Sequence, residues 1–299
     1  MLQTFSPKQL ARVIGVSESS IKRWVDQGRV RVTRTQGGHR RIPLDESIRL
    51  IREHDVNPAN LAALGIDDLA ACAAKSPDPA DALYEALRSN QAARARGIML
   101  SAYLQGMSLE QLFDELIAPA MHRIGRLWEH GQEGIAIEHH ATDVCIQAVN
   151  QLRTYLPPVD PGAPVAIGGA PEDDPYILPS IMAATVFASH QFDVINLGPA
   201  TPLNLLVDAA RCHKAKVVWV SISMCRQGSR LVEELRCEAE QLSRRGVRMI
   251  AGGRAVPASL TRDARHLEVL SSMVELGAFA RGLRVAIESP QMPVKVSKP

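Results

Sequence analysis

Hydrophobic residues follow different periods in different parts of the chain. Residues 6–28 carry two short runs with the helical spacing of three and four, and residues 29–34 alternate arginine with valine at the strand period of two. From residue 81 to 156 the helical period continues without strands. After Val165, short apolar runs alternate with helical stretches, which predicts a doubly wound parallel sheet.

Five strands joined by helices are predicted in this last part. The predicted strands are Val165–Gly168, Asp193–Leu197, Val217–Ile222, Val247–Ala251 and Leu267–Leu270, and the predicted helices cover residues 176–190, 202–214, 229–245 and 273–288. The first strand ends at a Gly-Gly turn, and we expect Asp174 to cap the next helix, with Pro175 as its first residue. Ligands of such sheets bind at the carboxyl edge of the strands, where this turn lies.

The first 54 residues predict a helix-turn-helix domain. Ser6 and Gln9 have the spacing of a capping box, and Gly15 ends the helix that they begin. Ser17 caps a second helix, which Gly28 terminates. The inward-facing residues are Leu10, Ile14, Ile21 and Val25, and the outward-facing ones are Ser19, Ser20, Lys22 and Arg23.

A basic β-hairpin is predicted after the second helix, with a Gln-Gly-Gly turn at residues 36–38. We interpret it as the wing of a winged helix-turn-helix, in which the second helix enters the major groove and the wing lies on the DNA backbone. The predicted phosphate contacts are Arg29, Arg31, Arg34, Arg40 and Arg41, with His39 beside them, and the predicted base contacts are Ser20, Lys22 and Arg23. The alternative is a solvated basic hairpin without a partner.

Charge and composition agree with a DNA partner at the N-terminus. The net charge is +2, but residues 1–54 hold eleven Lys/Arg against five Asp/Glu. With 299 residues, 46% of them hydrophobic, the chain is long enough for two or three globular domains. The five cysteines include no Cys-x-x-Cys and are typical of reduced thiols. No signal-peptide pattern begins the chain, and no apolar run is long enough to approach a membrane span. These features together predict a cytoplasmic protein.

A linker and a set of helices separate the head from the sheet. Residues 55–79 are rich in Ala, Asp and Pro and predict a linker with one short helix. Residues 80–157 are helical, and Ser108 and Gln111 form a capping box at the start of a helix with one continuous apolar stripe. A four-helix bundle is the natural architecture for such a stripe.

Glu138 and His139 lie at one end of the apolar stripe of the last predicted helix. The other positions of that stripe are Thr142, Cys145, Ile146, Val149 and Leu152. Burying an ionisable group without a partner costs about 2 kcal/mol or more. Two interpretations stay open: the two residues pair with neighbours or a loop, or they contact a ligand.

Two segments resemble known families. Residues 37–43, with the sequence Gly-Gly-His-Arg-Arg-Ile-Pro, are similar to part of the DNA-binding head of the MerR and excisionase group. Trp128, followed after nine residues by Glu138-His139, resembles the signature of the helical cap in the CarH/LitR light-sensing repressors. In that family the cap covers the upper face of adenosylcobalamin. The resemblance implies that Trp128 packs on the adenosyl group and that Glu138 and His139 border it.

The predicted sheet is similar to the cobalamin-binding domain that accompanies MerR-type heads. Thr201 lies in a segment that resembles a turn of that family, and Ser221 and Ser223 stand where a serine faces the buried nucleotide tail of the cofactor. Gly252 and Gly253 match the turn that lets the backbone approach the tail. The resemblance therefore implies that cobalamin, as adenosylcobalamin, is held by these residues.

The central motif departs from this family. Its cobalamin domains carry Asp-x-His-x-x-Gly, whose histidine replaces the vitamin's own base on cobalt. The corresponding residues here are Asp174, Tyr176 and Pro179. A phenol has a pKa of about 10 and is a far poorer cobalt ligand than imidazole. We therefore expect no protein ligand to cobalt, and we keep Asp174 and Tyr176 as candidate cofactor contacts.

The sequence predicts a multidomain α and α/β protein. Its parts are a winged helix-turn-helix domain (1–54), a linker (55–79), a four-helix bundle cap (80–157), a flavodoxin-like cobalamin-binding-type domain (163–289) and a tail (290–299). The predicted function is a DNA-binding transcriptional regulator, not an enzyme, that acts on double-stranded DNA as a dimer or tetramer. The resemblance further implies repression and a response to light.

Three alternatives stay open for the sheet domain. It binds cobalamin that keeps its own base or has water beneath the cobalt, it senses another planar or nucleotide-like molecule or a protein, or it serves only in oligomerisation. Two competing functions come from other classes. One is a corrinoid-dependent methyltransferase or mutase subunit, and the other is a structural DNA-bridging protein.

Overall fold

A computed structural model describes residues 4–54, 56, 58–61, 78–127, 132–262 and 265–289. The chain divides into two compact units, Met1–Pro158 and Val159–Pro299. In the described residues, no helix is long and apolar enough to cross a membrane.

Three helices and a small sheet form the N-terminal head. The helices are α1 (Pro7–Ile14), α2 (Glu18–Asp26) and α3 (Leu44–Glu53), and the strands are β1 (Thr4–Phe5), β2 (Thr33–Arg34) and β3 (Arg40–Pro43). The predicted capping box is confirmed, because the Ser6 hydroxyl accepts from the amide of Gln9 and the Gln9 side chain accepts from the amide of Ser6. Gly15 ends α1 with a φ of 81°, in the left-handed region that glycine adopts without strain.

The predicted hairpin is also confirmed. β2 pairs with β3 in antiparallel register, with Thr33 opposite Arg41 and Arg34 opposite Arg40. β1 adds a third strand on the other side of β3, so the order is β1-β3-β2. The sequence did not predict β1, which has two residues and therefore no period to read.

Glu46 ties the hairpin to α3 through a nearly buried carboxylate. Its Oε1 accepts from the backbone amide of Arg31 at 3.2 Å and from Arg49 Nη2 at 2.6 Å, and its Oε2 accepts from Arg49 Nε at 3.3 Å. Burial raises the pKa of Glu46, but the hydrogen bonds and charges of Arg49 and Arg31 outweigh burial and hold the pKa below its usual value. A lowered pKa means that the ionised form stabilises the folded head.

Replacing Glu46 by glutamine is expected to destabilise the head by about 1–3 kcal/mol at neutral pH, because a charged hydrogen-bond acceptor is lost from a nearly buried position. The stabilisation by Glu46 is fully present above its ordinary pKa of about 4.3 and disappears as the pH falls through the lowered folded value. Hydrogen exchange of the amides of α1 to α3 in the full chain measures the effect.

Glu53→Gln is the matched control. Glu53 also accepts a hydrogen bond from Arg49, at 2.6 Å, but its side chain is 50% exposed. An exposed ion pair contributes about 0–1 kcal/mol, so Glu53→Gln should change protection little. Equal effects of the two variants would show that Glu46 does not hold the hairpin.

The other described elements of the first unit are helices. They are α4 (Pro58–Leu61), α5 (Pro79–Arg88), α6 (Ala92–Leu104), α7 (Leu109–Gln111), a π-helical turn (Leu112–Ile117), α8 (Ala118–Gly125) and α9 (Gln132–Thr154). The capping box at Ser108 is confirmed, and the stripe that follows it is mostly buried, with Leu112, Phe113 and Ile124 fully enclosed. α4 lies within the range of the predicted linker, and residues 62–77 lie outside the described residues.

Arg52 joins the head to the helices. Its guanidinium lies 3.9 Å from the centre of the Tyr103 ring and donates to the carbonyls of Tyr103, in the last turn of α6, and of Met107, just after that helix. A cation at this end of a helix satisfies carbonyls that have no partner within the helix. Burial lowers the pKa of Arg52, partly offset by Tyr103 and Glu110.

The second unit is a five-stranded parallel sheet with helices. Its strands are β4 (Val165–Gly169), β5 (Asp193–Asn196), β6 (Val217–Ser221), β7 (Arg248–Gly252) and β8 (Leu267–Leu270), and its helices are α10 (Leu178–Ser189), α11 (Leu203–Cys212), α12 (Gly228–Ser243), α13 (Ala258–Arg262) and α14 (Met273–Glu288). All neighbouring strands are parallel, in the order β5-β4-β6-β7-β8. The predicted doubly wound sheet is confirmed, and its order reverses between β4 and β6, where such sheets bind ligands.

The two faces of the sheet have different cores. Val218, Val220 and Ile222 belong to a buried cluster with residues of α11 and α12. Trp219 points to the other face, because side chains alternate along a strand, and lies beside Phe187 of α10. α14 packs against α10.

Candidate functional site

The outward face of α2 presents two cations. Lys22 and Arg23 are exposed, and Lys22 Nζ lies 2.8 Å from Glu18 Oε1, one helical turn earlier. Ser20 is half-buried, and its hydroxyl lies 2.9 Å from the hydroxyl of Ser17, the N-cap of α2. Of the three predicted base contacts, Lys22 and Arg23 are therefore presented to solvent, whereas the Ser20 hydroxyl takes part in the cap.

The arginines of the hairpin fall into two groups. Arg31 pairs with Asp45, and Arg40 lies 2.7 Å from Asp26. Arg34 and Arg41 make no ion pair within the described part of the chain, and Arg34 is exposed. The Asp26 side chain is 60% exposed, and an exposed ion pair contributes about 0–1 kcal/mol, so phosphate can replace this partner of Arg40 at low cost.

The tip of the hairpin is held by backbone and hydroxyl groups. The amide of His39 donates to Thr35 Oγ1 at 3.2 Å, and the amide of Thr35 donates to the carbonyl of His39 at 3.0 Å. The His39 side chain is exposed at this tip, and the guanidinium of Arg29 lies 5.8 Å from the ring of Trp24. The head thus places the predicted DNA-binding residues on α2 and on the hairpin.

Glu138 and His139 occupy different environments on α9. Glu138 is half-buried and accepts from the Thr142 hydroxyl at 3.0 Å, whereas the side chain of His139 is 76% exposed. The prediction that His139 lies on the buried face is therefore wrong, because one residue turns a helix by about 100°. Trp128 lies outside the described residues, and the prediction that these groups cover the sheet stays a prediction.

Asp174 is a buried cross-link between loops, and the prediction that it caps a helix is wrong. α10 begins at Leu178, and Ile177 is its N-cap residue. The carboxylate of Asp174 is fully buried, with Oδ1 accepting from the amide of Tyr176 at 3.0 Å. Its Oδ2 accepts from the amides of Ser223, at 2.5 Å, and Met224, at 3.0 Å. Asp174 therefore joins the loop after β4 to the loop after β6.

Tyr176 points outward from the same loop. It is 37% exposed, and the guanidinium of Arg254 lies 5.0 Å from its ring. Arg254 Nε also donates to the carbonyl of Ser223 at 3.1 Å. The side chain at the position of the family's cobalt-ligating histidine is thus a phenol held by a cation–π contact.

Two hydroxyl groups that were predicted to contact a cofactor donate hydrogen bonds to backbone carbonyls of the protein. Thr201 Oγ1 donates to the carbonyl of Gly198 at 3.3 Å, and Ser221 Oγ donates to the carbonyl of Gly169 at 3.4 Å. Ser223 contributes its amide to Asp174. In the described residues, every buried side-chain nitrogen or oxygen has a hydrogen-bond partner.

The glycines predicted to admit a cofactor are closed off by neighbouring backbone. A Cβ added at Gly252 would lie 2.9 Å from the carbonyl oxygen of Leu270, and one added at Gly253 would overlap the carbonyl of Ile222. Gly253 also has a φ of 121°, which side chains rarely adopt. Contacts within the sheet therefore explain both glycines without a ligand.

A cleft of about 560 Å³ opens elsewhere on the carboxyl edge. Its walls come from the loop after β4, the start of α11 and residues 224–238. Its charged groups are Glu172, Asp173, Arg226, Arg230, Glu234 and Glu238. The mixture of carboxylates and guanidiniums suits a polar ligand and gives no single charge preference.

The cysteines and the possible metal ligands of the described residues can be placed in the structure. No group of three His, Cys, Asp or Glu in the described ranges could hold a metal ion. Cys145, Cys212, Cys225 and Cys237 are free thiols, and Cys72 lies outside the described residues. Burial raises the pKa of Cys145 to about 12, so its thiol is not a nucleophile at neutral pH.

Two domain models match parts of the chain. A helix-turn-helix domain matches residues 4–56, and a B12 binding domain matches residues 79–153. The first match covers the head from β1 to α3, and the second covers the helices from α5 to α9. Comparison with curated proteins finds no match.

Solved structures that resemble the chain include corrinoid proteins. The monomethylamine corrinoid protein of Methanosarcina barkeri is 16% identical, with a TM-score of 0.52, over 69% of this chain and 98% of that chain. A cobalamin-binding protein from Desulfitobacterium hafniense DCB-2 is 15% identical over 70% and 97% of the two chains, with a TM-score of 0.35. The methanol:cobalamin methyltransferase complex of Methanosarcina barkeri is 12% identical over 71% and 81%, with a TM-score of 0.37. The first of these similarities shows a shared fold.

The residues of the sheet do not fit a corrinoid whose nucleotide tail is buried there. The hydroxyls of Thr201 and Ser221 already have partners, and backbone lies against the two glycines of the turn. Tyr176 does not supply an imidazole. In the described part of the sheet, no buried side-chain nitrogen or oxygen is left without a hydrogen-bond partner.

Proposed function

We propose that the protein is a DNA-binding transcriptional regulator whose helices and sheet form a regulatory module of the corrinoid-protein type. The observation that carries the proposal is a helix-turn-helix match at residues 4–56 on the same chain as a B12 binding domain match at residues 79–153. A DNA-binding head joined to a ligand-binding type of domain is the arrangement of a one-component regulator. The head is of MerR type by resemblance, and repression is the proposed sign of regulation.

The residues of the head support two kinds of DNA contact. Lys22 and Arg23 on α2 have the reach and exposure to donate to base edges in the major groove. Arg34 and Arg41 lie on the paired strands of the hairpin and suit phosphate contacts. These side chains carry positive charge, so the affinity for DNA depends on how many of them contact the DNA at the same time.

Regulation is proposed to act through assembly. Two or more heads held together raise the effective concentration of each at a neighbouring half-site, so occupancy changes by orders of magnitude without a change in any single head. Arg52 contributes to such coupling, because it fixes α3 of the head to the C-terminal end of α6. A movement of the helices is thereby transmitted to the head.

A corrinoid is the ligand class that the comparisons favour for the regulatory module. It enters the proposal as a cobalamin that keeps its own base, because position 176 holds a tyrosine in place of an imidazole and every buried side-chain nitrogen or oxygen in the described residues already has a hydrogen-bond partner. A response to light belongs to the proposal through the resemblance to light-sensing repressors. A corrinoid enzyme subunit is less well supported, because the head has no role in such an enzyme.

The experiment that tests the proposal compares single variants on a DNA sequence selected by the wild-type protein. Arg23→Ala should lower affinity about tenfold for that sequence and less for unrelated DNA, since a base contact contributes about 1–3 kcal/mol of discrimination. Fluorescence anisotropy of labelled duplexes measures both affinities.

Arg88→Ala removes the same charge from α5, outside the head, and is the control. Arg88 is exposed and pairs with Glu85. It should leave both affinities unchanged. If Arg23→Ala and Arg88→Ala bind equally well to the selected sequence, α2 is not the element that reads DNA.

A further inference from the structure

Trp219 fills the centre of the sheet on the side of α10. It lies on β6 directly opposite Gly168 of β4, and a Cβ added at Gly168 would overlap its indole. The indole therefore occupies the space that the missing side chain of Gly168 leaves. Trp219 itself is 2% exposed.

The side chains around the indole form a well-packed core. Its Nε1 lies 3.4 Å from Ser180 Oγ, which donates to Asn196 Oδ1 at 2.7 Å. The ring of Phe187 lies 5.4 Å away, and Phe192 packs edge-on against Phe187. Both phenylalanines are fully buried, so no part of this space is open to a ligand.

The indole and Ser221 share one face of the sheet. Positions two apart along a strand point the same way, so Trp219 and Ser221 both face α10, whereas Val218 and Val220 face the opposite cluster. The resemblance to cobalamin-binding domains puts the nucleotide tail on the face of Ser221. In this chain the indole and the aromatic rings around it occupy that face.

We infer that Trp219 is a built-in replacement for the nucleotide tail, so that the sheet is complete without a ligand and a bound corrinoid keeps its own base on cobalt. The inference rests on the proposed function only for the choice of corrinoid as ligand class. It is tested without DNA, so its failure is distinguishable from failure of DNA recognition.

The first test uses the unmodified full chain and two corrinoids. Adenosylcobalamin carries a nucleotide tail and adenosylcobinamide does not, so a protein that excludes the tail should bind both with affinities within about threefold, or bind neither. The visible spectrum of a bound cobalamin should be that of the form with its base on cobalt. A preference of about tenfold or more for adenosylcobalamin, or a spectrum of the form with its base displaced, would overturn the inference.

The second test removes the indole of Trp219 and so opens the space that it fills. Trp219→Gly removes the indole and should leave a cavity that accepts benzimidazole, the kind of ring that ends the tail, as engineered apolar cavities accept small aromatic ligands. Benzimidazole should raise the unfolding temperature of Trp219→Gly by a few degrees and leave wild type and Trp219→Phe unchanged. No rise for Trp219→Gly would contradict the inference, and Trp219→Ala replaces it if the glycine variant does not fold.

The third test adds the missing cobalt ligand. Tyr176→His alone should not displace the base of bound cobalamin, because the indole still blocks the tail. Tyr176→His combined with Trp219→Gly should produce the spectrum of the displaced base and bind adenosylcobalamin at least about tenfold more tightly than adenosylcobinamide. Base displacement by Tyr176→His alone would show that the tail has another place to go.

Discussion

Replacing Arg34 and Arg41 together by alanine is expected to weaken binding to every duplex DNA by about tenfold or more near physiological salt. Both lie on the paired strands of the hairpin and make no ion pair in the described part of the chain. Each phosphate contact adds about 0.9 to the slope of log affinity against log salt, so the slope should fall by about 2. Titrations at several salt concentrations measure both quantities.

The matched control for this pair is Arg88→Ala with Arg244→Ala. It removes the same two charges from exposed positions on α5 and just after α12, where each arginine pairs with a glutamate on the same helix. The control should keep the wild-type slope. An unchanged slope in Arg34→Ala/Arg41→Ala would remove the hairpin from the DNA interface.

Asp174→Asn is expected to destabilise the sheet unit by about 3 kcal/mol. The fully buried carboxylate accepts from three backbone amides, and asparagine has one oxygen and one NH₂ group in its place. At least one amide then faces another donor, and a lost hydrogen bond to a charged group costs about 1.5–3 kcal/mol. Hydrogen exchange of the amides in β4 and β6, measured on the full chain, reports the loss.

Asp173→Asn makes the same chemical change one residue earlier, at an exposed side chain. It should alter the free energy of unfolding by less than about 0.5 kcal/mol. If Asp174→Asn is no more harmful than Asp173→Asn, the loops at the carboxyl edge are held together by other contacts.

Local patterns predicted most of the secondary structure. The five strands of the sheet lie within two residues of their predicted bounds, because each is a short apolar run between turn residues. Ser6, Gln9 and Gly15 bound α1 as expected, since caps act within one turn of the helix that they end. Signals of this kind depend on neighbours in sequence, which are all visible in the chain itself.

Asp174 shows where such signals fail. Asp followed by Pro is a common start of a helix, yet the partners that bury this carboxylate are amides of Ser223 and Met224, about fifty residues later. No spacing rule connects the two loops. Their contact follows from the order of the strands, which puts β4 next to β6.

Trp219 was missed for a related reason. An aromatic residue in a buried strand is ordinary core, and nothing in its own segment distinguishes it. Its effect depends on register, because pairing places it opposite Gly168 rather than opposite a larger residue. A bulky residue on one strand and a glycine on its neighbour are the only sequence signal, and it becomes informative once the register is known.

His139 and Arg52 mark two further limits. The helical period places residues 138 and 139 near the same stripe, and only packing shows that Glu138 lies at the buried edge and His139 in solvent. Arg52 was predicted to be part of a basic head, whereas it contacts Tyr103 and Met107 at the end of α6. Long side chains reach partners that sequence spacing does not reveal.

The central claim is that this chain reads DNA sequence. The most direct measurement is selection of bound duplexes from a random library by the purified full chain, followed by sequencing. A sequence-specific regulator should enrich one motif over successive rounds, and Arg23→Ala should lose enrichment at one or more of its positions while still binding DNA. Retention of DNA without enrichment of any motif would contradict the claim and leave a head that binds DNA by charge alone.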